Sequence, residues 1–216
     1  MKFRTITILF LISLSVFLIY IFNKDKKVYY VDIKDKIYEN KTYDKYINNY
    51  IKQKNIKEKY ISSFSNNDYR ITELIRDINE NKSLENNNIT IQNVLIKADI
   101  LTIKMGDSEL EYKVNTSEIN ELFDYCDNLI DDIDELFILL RKFCKEKIYF
   151  IGLHNYNSDY YDEIYDYLNL KIADTASKYD IIFISSGDLK SLKVNKNISD
   201  NIIKDYLKAN KIRLNN

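Results

Sequence analysis

A chain of 216 residues with 32 basic and 33 acidic side chains has room for one ordinary domain and a short appendage. Its balanced charge excludes the basic surplus of a nucleic-acid binder, and no basic stripe interleaved with exposed aromatics takes its place. With 45% apolar residues and 19 tyrosines it can bury a core, while the absence of Pro and Trp and the presence of only 3 Gly follow AT-rich codons and point to a low-GC bacterium.

Residues 1–4 carry Lys2 and Arg4, and Thr5 to Phe22 is an uncharged run of 18 residues. As a helix it is about 27 Å long, close to a hydrocarbon layer of roughly 30 Å. No polar face interrupts it, which argues against a buried helix of a soluble core. A cleaved signal peptide has a shorter apolar stretch and small residues at its exit. Here the exit reads IYIFNKDKK, and the first Ala is Ala98. The expectation is a transmembrane signal-anchor over 5–22 with residues 1–4 in the cytoplasm, by the positive-inside rule. Lys24, Lys26 and Lys27 lie in the linker 23–27, whose five residues span at most about 18 Å. The domain over 28–216 is therefore expected on the outer face of the cytoplasmic membrane, close to the bilayer.

Within that domain β-rich runs fall at 28–33 (VYYVDI), 60–64, 100–103, 148–153 (IYFIGL) and 180–185 (DIIFIS). Segments of helical periodicity separate them. The clearest is 118–145, with Ile119, Leu122, Phe123, Cys126, Ile130, Ile133, Phe137, Leu140 and Cys144 on one stripe, Ser117 as N-cap, and Glu118 and Glu121 in the first turn. Further helices are expected over 159–178 and 198–209. Cys126 and Cys144, 18 residues apart on one helix, stand about 27 Å apart, too far for a disulfide, so both read as buried free thiols. Strands alternating with helices predict an α/β domain with a parallel five-stranded sheet and helices on both faces. Such sheets place their sites at the carboxyl ends of the strands.

Those ends read YVDIKDKIYENKTYDKYINNYI (30–51), SSFSNNDYRITELIRDI (62–78), ADILTIKMGDSELEY (98–112) and KIYFIGLHNYN (147–157). Their succession resembles the SGNH (GDSL-type) hydrolases, esterases and lipases built on a flavodoxin-like sheet, over nearly all of 28–210. The resemblance implies a serine nucleophile in a Gly-Asp-Ser turn after the first strand. It also implies oxyanion donors from a Gly after the second strand and from the Asn of a Gly-x-Asn-Asp turn, and a base in an Asp-x-x-His near the C-terminus. Acyl transfer needs this set, because a serine hydroxyl is inert near neutral pH without a base and a tetrahedral oxyanion needs preorganised donors.

Every one of those positions departs from the pattern. Lys36 stands at the nucleophile, Asp68 at the second-block glycine, and Ser108 and Glu109 replace the Asn and Asp after Gly106. The 185–203 stretch has no His. The single His of the chain, His154, follows the fourth strand and does not match the family's base. The Gly106-Asp107-Ser108 triplet follows the third strand and reads as the divergent Gly-x-Asn-Asp turn, not as a nucleophile elbow. Ser108 with His154 is a conceivable substitute pair. Asp35, Asp68, Asp107 and Glu109 lack the spacing of a cation-binding loop, and Lys34 and Lys36 are at hand as ion-pair partners, so no metal or other cofactor is expected. The tyrosines at 43, 46, 50, 156, 160, 161, 165 and 167 suit packing faces better than a polymer-stacking surface. The reading is a membrane-anchored, catalytically inactive SGNH-like protein that binds or scaffolds at the cell envelope, with a wall polymer or another envelope protein as partner. The alternative is an active esterase or acyl hydrolase of envelope esters working through a non-family constellation.

Overall fold

The structure, a computed structural model, describes residues 28–35, 45–47, 49, 52, 58–83, 89–155, 161–186 and 199–202. The expected cytoplasmic end, transmembrane segment and linker (1–27) lie outside them. Among the described residues no helix is long and apolar enough to cross a membrane.

Among the described residues five parallel strands form one sheet: β1 (Val28–Lys34), β2 (Glu58–Ile61), β3 (Ile100–Lys104), β4 (Ile148–Ile151) and β5 (Ile182–Ile184). Their order is β2-β1-β3-β4-β5, the flavodoxin-like arrangement in which the chain reverses direction between β1 and β3. Helices α1 (Ile71–Asn79) and α2 (Ile91–Lys97) connect β2 to β3, α3 (Asp107–Thr116) and α4 (Ile119–Phe143) connect β3 to β4, and α5 (Asp162–Lys178) connects β4 to β5.

Crossovers between parallel strands are right-handed. Because β2 lies on one side of β1 and β3 to β5 on the other, the β1–β2 crossover falls on the face opposite to α1–α5. Strand side chains alternate accordingly. Val31, Ile33, Leu101, Ile103, Ile148 and Phe150 join Leu74, Ile78, Leu136, Phe137, Leu168 and Ile172 in one core, with Phe137 edge-on to Phe150 at 5.3 Å. The other face carries Tyr30, Asp32, Lys34, Ile100, Thr102, Lys104, Tyr149 and Ile151, all buried. Helical backbone at 45–47, 49 and 52, with Ile47 buried, belongs to the crossover on that side.

Two sequence expectations are corrected. The strand expected at 60–64 is β2 at Glu58–Ile61, and Phe64 is buried in a turn in which the Ser65 N–H donates to the Ser62 carbonyl. Ser117 is not the N-cap of the long helix. Its N–H closes α3 onto the Lys113 carbonyl, and Glu118 is the N-cap of α4. The Gly106 turn leads first into α3, a separate helix of 10 residues, and only then into α4. Cys126 and Cys144 are buried free thiols. Burial raises both, Cys126 to about 12, so neither is a nucleophile near neutral pH.

Candidate functional site at the strand ends

The centre of the strand-end region is Asp35, fully buried just past β1. Its carboxylate accepts hydrogen bonds from the backbone N–H groups of Gly106 (3.0 Å) and Ser108 (2.8 Å). These are the N-cap and second residue of α3, whose amides have no partner inside the helix, so a carboxylate from the next strand caps it. Gly106 holds φ 104, the left-handed conformation a side chain would strain. The Asp35 main-chain carbonyl accepts from the Asp68 N–H (2.9 Å) and from the Ser108 hydroxyl (3.2 Å). Asp68 also has a positive φ, 59, which glycine adopts freely and Asp tolerates. A backbone suited to the family's glycine is therefore kept without the glycine.

The structure brings Asp35, Asp68, Ser108 and Glu109 together, while Lys36 lies outside the described residues. The Asp68 N–H and the Ser108 side chain are the groups at the two oxyanion-donor positions. Both point at the chain's own carbonyl. Ser65 fastens the same region: its hydroxyl accepts from the Lys34 N–H (3.1 Å) and donates to the Asp32 carbonyl (2.9 Å).

His154 is elsewhere. Its backbone N–H donates to Asp107 (3.0 Å). Its side chain lines a small cleft of about 230 Å³ with Asn155, Asp162, Asp166, Ser185 and Ser186. Ser108 lines a different one, so the two members of the substitute pair do not share a cleft among the described residues. Nor do three or more His, Cys, Asp and Glu side chains group there as a metal site. Of the clustered tyrosines, Tyr165 is buried and Tyr167 donates to Asp127 (2.6 Å) beside Phe123, as packing residues do.

Beneath the site lie two buried ion pairs that strand periodicity did not reveal. Lys34 reaches Asp32 at 2.9 Å, and Thr102 donates to the same carboxylate at 2.6 Å. Lys104 pairs with Asp107, both almost wholly buried. Their residues face each other in register, Asp32 beside Thr102 and Lys34 beside Lys104.

Outward from Asp35 opens a cleft of about 410 Å³ between α1, α3 and α4, lined by Asp68, Arg70, Thr72, Ser108, Glu109, Tyr112, Lys113, Tyr125 and Asp132. Glu109 ties two of these helices together by accepting the Ile71 N–H at 3.1 Å. Burial pushes its carboxyl up to about 7. That bond and Arg70 pull it down, and the Asp35 and Asp132 charges push it further up. A carboxyl raised on folding favours the folded state at low pH, and the contribution is lost as pH rises from about 4.5 through 7. For a partly exposed group this is on the order of 1–2 kcal/mol. Urea unfolding at pH 5 and pH 8 should therefore show a gap in stability that narrows by that amount in Glu109→Gln. An unchanged gap would refute the assignment.

No protein-family model matches the sequence, and no curated protein matches it. Solved structures do match the fold. A lipase, Lip_vut3, from a goat rumen metagenome superposes with a TM-score of 0.59 at 14% identity, over 84% of this chain and 96% of that one. Axe2, an acetylxylan esterase from Geobacillus stearothermophilus, gives 0.57 at 10% identity, over 84% and 94%. LAE5, an alpha/beta hydrolase enzyme from the metagenome of Lake Arreo, gives 0.54 at 8% identity, over 83% and 94%. The expected likeness to SGNH-type esterases and lipases is thus met in the fold.

Proposed function

We propose that this chain keeps the fold of an esterase without ester hydrolysis, and acts by binding at the outer face of a membrane to which residues 5–22 hold it. The observation that carries the reading is the Asp35 carbonyl. It occupies the Asp68 N–H and the Ser108 hydroxyl, the two donors that a tetrahedral oxyanion would need preorganised and unengaged. Lys36 at the nucleophile position and the absence of His from 185–203 support it further.

The tether sets the orientation of the bound partner. The hydrophobic run ends at Phe22 and β1 begins at Val28, so the amino ends of the parallel strands stand near the bilayer. The rim bearing Asp68 and Ser108 then faces outward, toward a cell-wall polymer or another envelope protein. The alternative, an active esterase using Ser108 and His154, needs both residues in one cleft, and they line two. No observation favours it.

Four measurements test this. A fluorophosphonate probe should leave the chain unlabelled, and Lys36→Ser should not restore p-nitrophenyl ester hydrolysis, because base and donors would still be missing. Labelling abolished by Ser108→Ala would overturn the inactive reading. In membrane fractions the protein should resist salt and alkaline washes and leave only with detergent, and external protease should digest the domain on intact protoplasts. Release by salt would remove the anchor from the proposal.

A further inference from the structure

The polar groups around Asp35 divide into two sets. Asp35, Lys34, Asp32, Lys104 and Asp107 are buried and engaged with one another or with backbone. Outward, in the cleft between α1, α3 and α4, Ser108 and Glu109 are engaged with backbone groups, but other polar groups have no such partners. The Asp68 and Asp132 carboxylates and the Tyr125 hydroxyl make no hydrogen bond within the described residues, and the Arg70 guanidinium pairs with no carboxylate. Of these, Tyr125 and Asp132 are half-buried and unmatched, while Asp68 and Arg70 stand exposed at the mouth, and a concave wall carrying groups of both signs is the ordinary form of a ligand site.

From this contrast we infer that the binding site of the protein is the α1–α3–α4 cleft, beside the closed strand-end centre, and that its ligand is a neutral polyhydroxylated chain, an oligosaccharide segment. The inference rests on the binding role proposed above. The volume of about 410 Å³ is that of a small-ligand site. The lining sets the chemistry. An anion drawn to Arg70 and Lys113 would meet Asp68, Glu109 and Asp132, and a cation drawn to those carboxylates would meet Arg70 and Lys113. A ligand whose hydroxyls both donate and accept satisfies all of them. Carboxylates and a guanidinium present paired acceptors and paired donors to neighbouring hydroxyls. Glu109, with its carboxyl raised to about 7, can donate or accept near neutral pH.

Two aromatic rings complete the cleft. Tyr112, 65% exposed, stands at the rim. Tyr125 lies deeper, with the Lys113 ammonium 5.2 Å from its ring centre. An aromatic body with a polar tip stacks on the C–H face of a sugar while its hydroxyl bonds the edge. The cleft sits on the rim turned away from the tether, where an extracellular polymer has access.

The test uses the full chain in a detergent without sugar headgroups, titrated calorimetrically with xylotetraose, cellotetraose and chitotetraose, and with a neutral tetrapeptide as control. At least one tetrasaccharide should bind and the peptide should not. Tyr112→Ala, a change at an exposed ring that leaves the core intact, should weaken binding about tenfold, and Asp132→Asn by a comparable factor. Binding of no tetrasaccharide at millimolar concentration, equal binding of the peptide, or unchanged affinity in both variants overturns the inference. Fluorophosphonate labelling is read on the same preparation. A labelled protein that binds sugar sinks the inactive reading and leaves the cleft standing, whereas an unlabelled protein that binds none sinks the cleft alone.

Discussion

Replacing Asp35 by Ala should lower the melting temperature of the domain by about 6–12 °C, corresponding to roughly 3 kcal/mol in a chain of this size. The side chain is fully buried and accepts two backbone N–H bonds at the start of α3. Hydrogen bonds to a charged acceptor contribute about 1.5–3 kcal/mol each, and removing the acceptor leaves two amides buried and unmatched. The carboxylate also faces the positive end of the helix dipole. Asn at the same place keeps an acceptor oxygen but loses the charge, so Asp35→Asn should fall about midway. Circular dichroism melts of the three proteins decide it. A loss below about 2 °C for Ala would mean that α3 is held by its packing and not by this cap.

The same residue accounts for the backbone conformation of the strand-end turns. In a parallel sheet the carboxyl ends of β1 and β3 must be bridged where the chain leaves each strand. Asp35 does this with its carboxylate toward α3 and its carbonyl toward the loop after β2. Such a bridge stabilises the fold whatever stands at position 36. The positive φ angles of Gly106 and Asp68 follow from that structural role.

What the sequence made legible was whatever a single element encodes. Continuous apolar runs such as IYFIGL mark strands covered on both faces. The stripe from Ile119 to Cys144 gave α4 to within a residue or two at each end. Phe64 misled because an aromatic next to a β-rich run signals burial as readily as pairing. Asp32, Lys34 and Lys104 were unreadable for a different reason. In VDIK and LTIK polar residues alternate with apolar ones, the pattern of a strand with one wet face. Whether that face is wet depends on the crossover between β1 and β2 lying over it, which the strand does not encode. Charged residues at alternate positions of a central parallel strand are themselves the usable signal, since the fold leaves such strands no solvent face.

The cleft was less legible still. Arg70, Tyr125 and Asp132 come from the start of α1 and the middle of α4, more than fifty residues apart in sequence. Helical periodicity separates the buried from the exposed side of each helix. It does not say which exposed residues of two helices face one another. The positions that the family resemblance marks lie inward, at the strand ends, and not on the helices beside them.

The second large effect concerns Lys104 and Asp107, and its size depends on the order of replacement. Both side chains are almost completely buried, paired with each other, and Asp107 also accepts the His154 N–H. Lys104→Met removes the only cation in the ion pair and leaves a carboxylate in the interior, a change that costs about 3–5 kcal/mol. A domain with a total stability of 5–15 kcal/mol loses a large share of it. Adding Asp107→Asn removes the stranded charge while keeping an acceptor for His154. The double variant should therefore be more stable than Lys104→Met alone, by roughly 2 kcal/mol, although it carries one more substitution. Urea unfolding of the wild type, both single variants and the double variant closes the cycle. If Lys104→Met is too unstable to purify, recovery of folded protein on adding Asp107→Asn reads the same coupling. Losses that simply add would mean that each side chain is stabilised by neighbours other than its partner, and the ion pair would lose its place as the support beneath the strand-end centre.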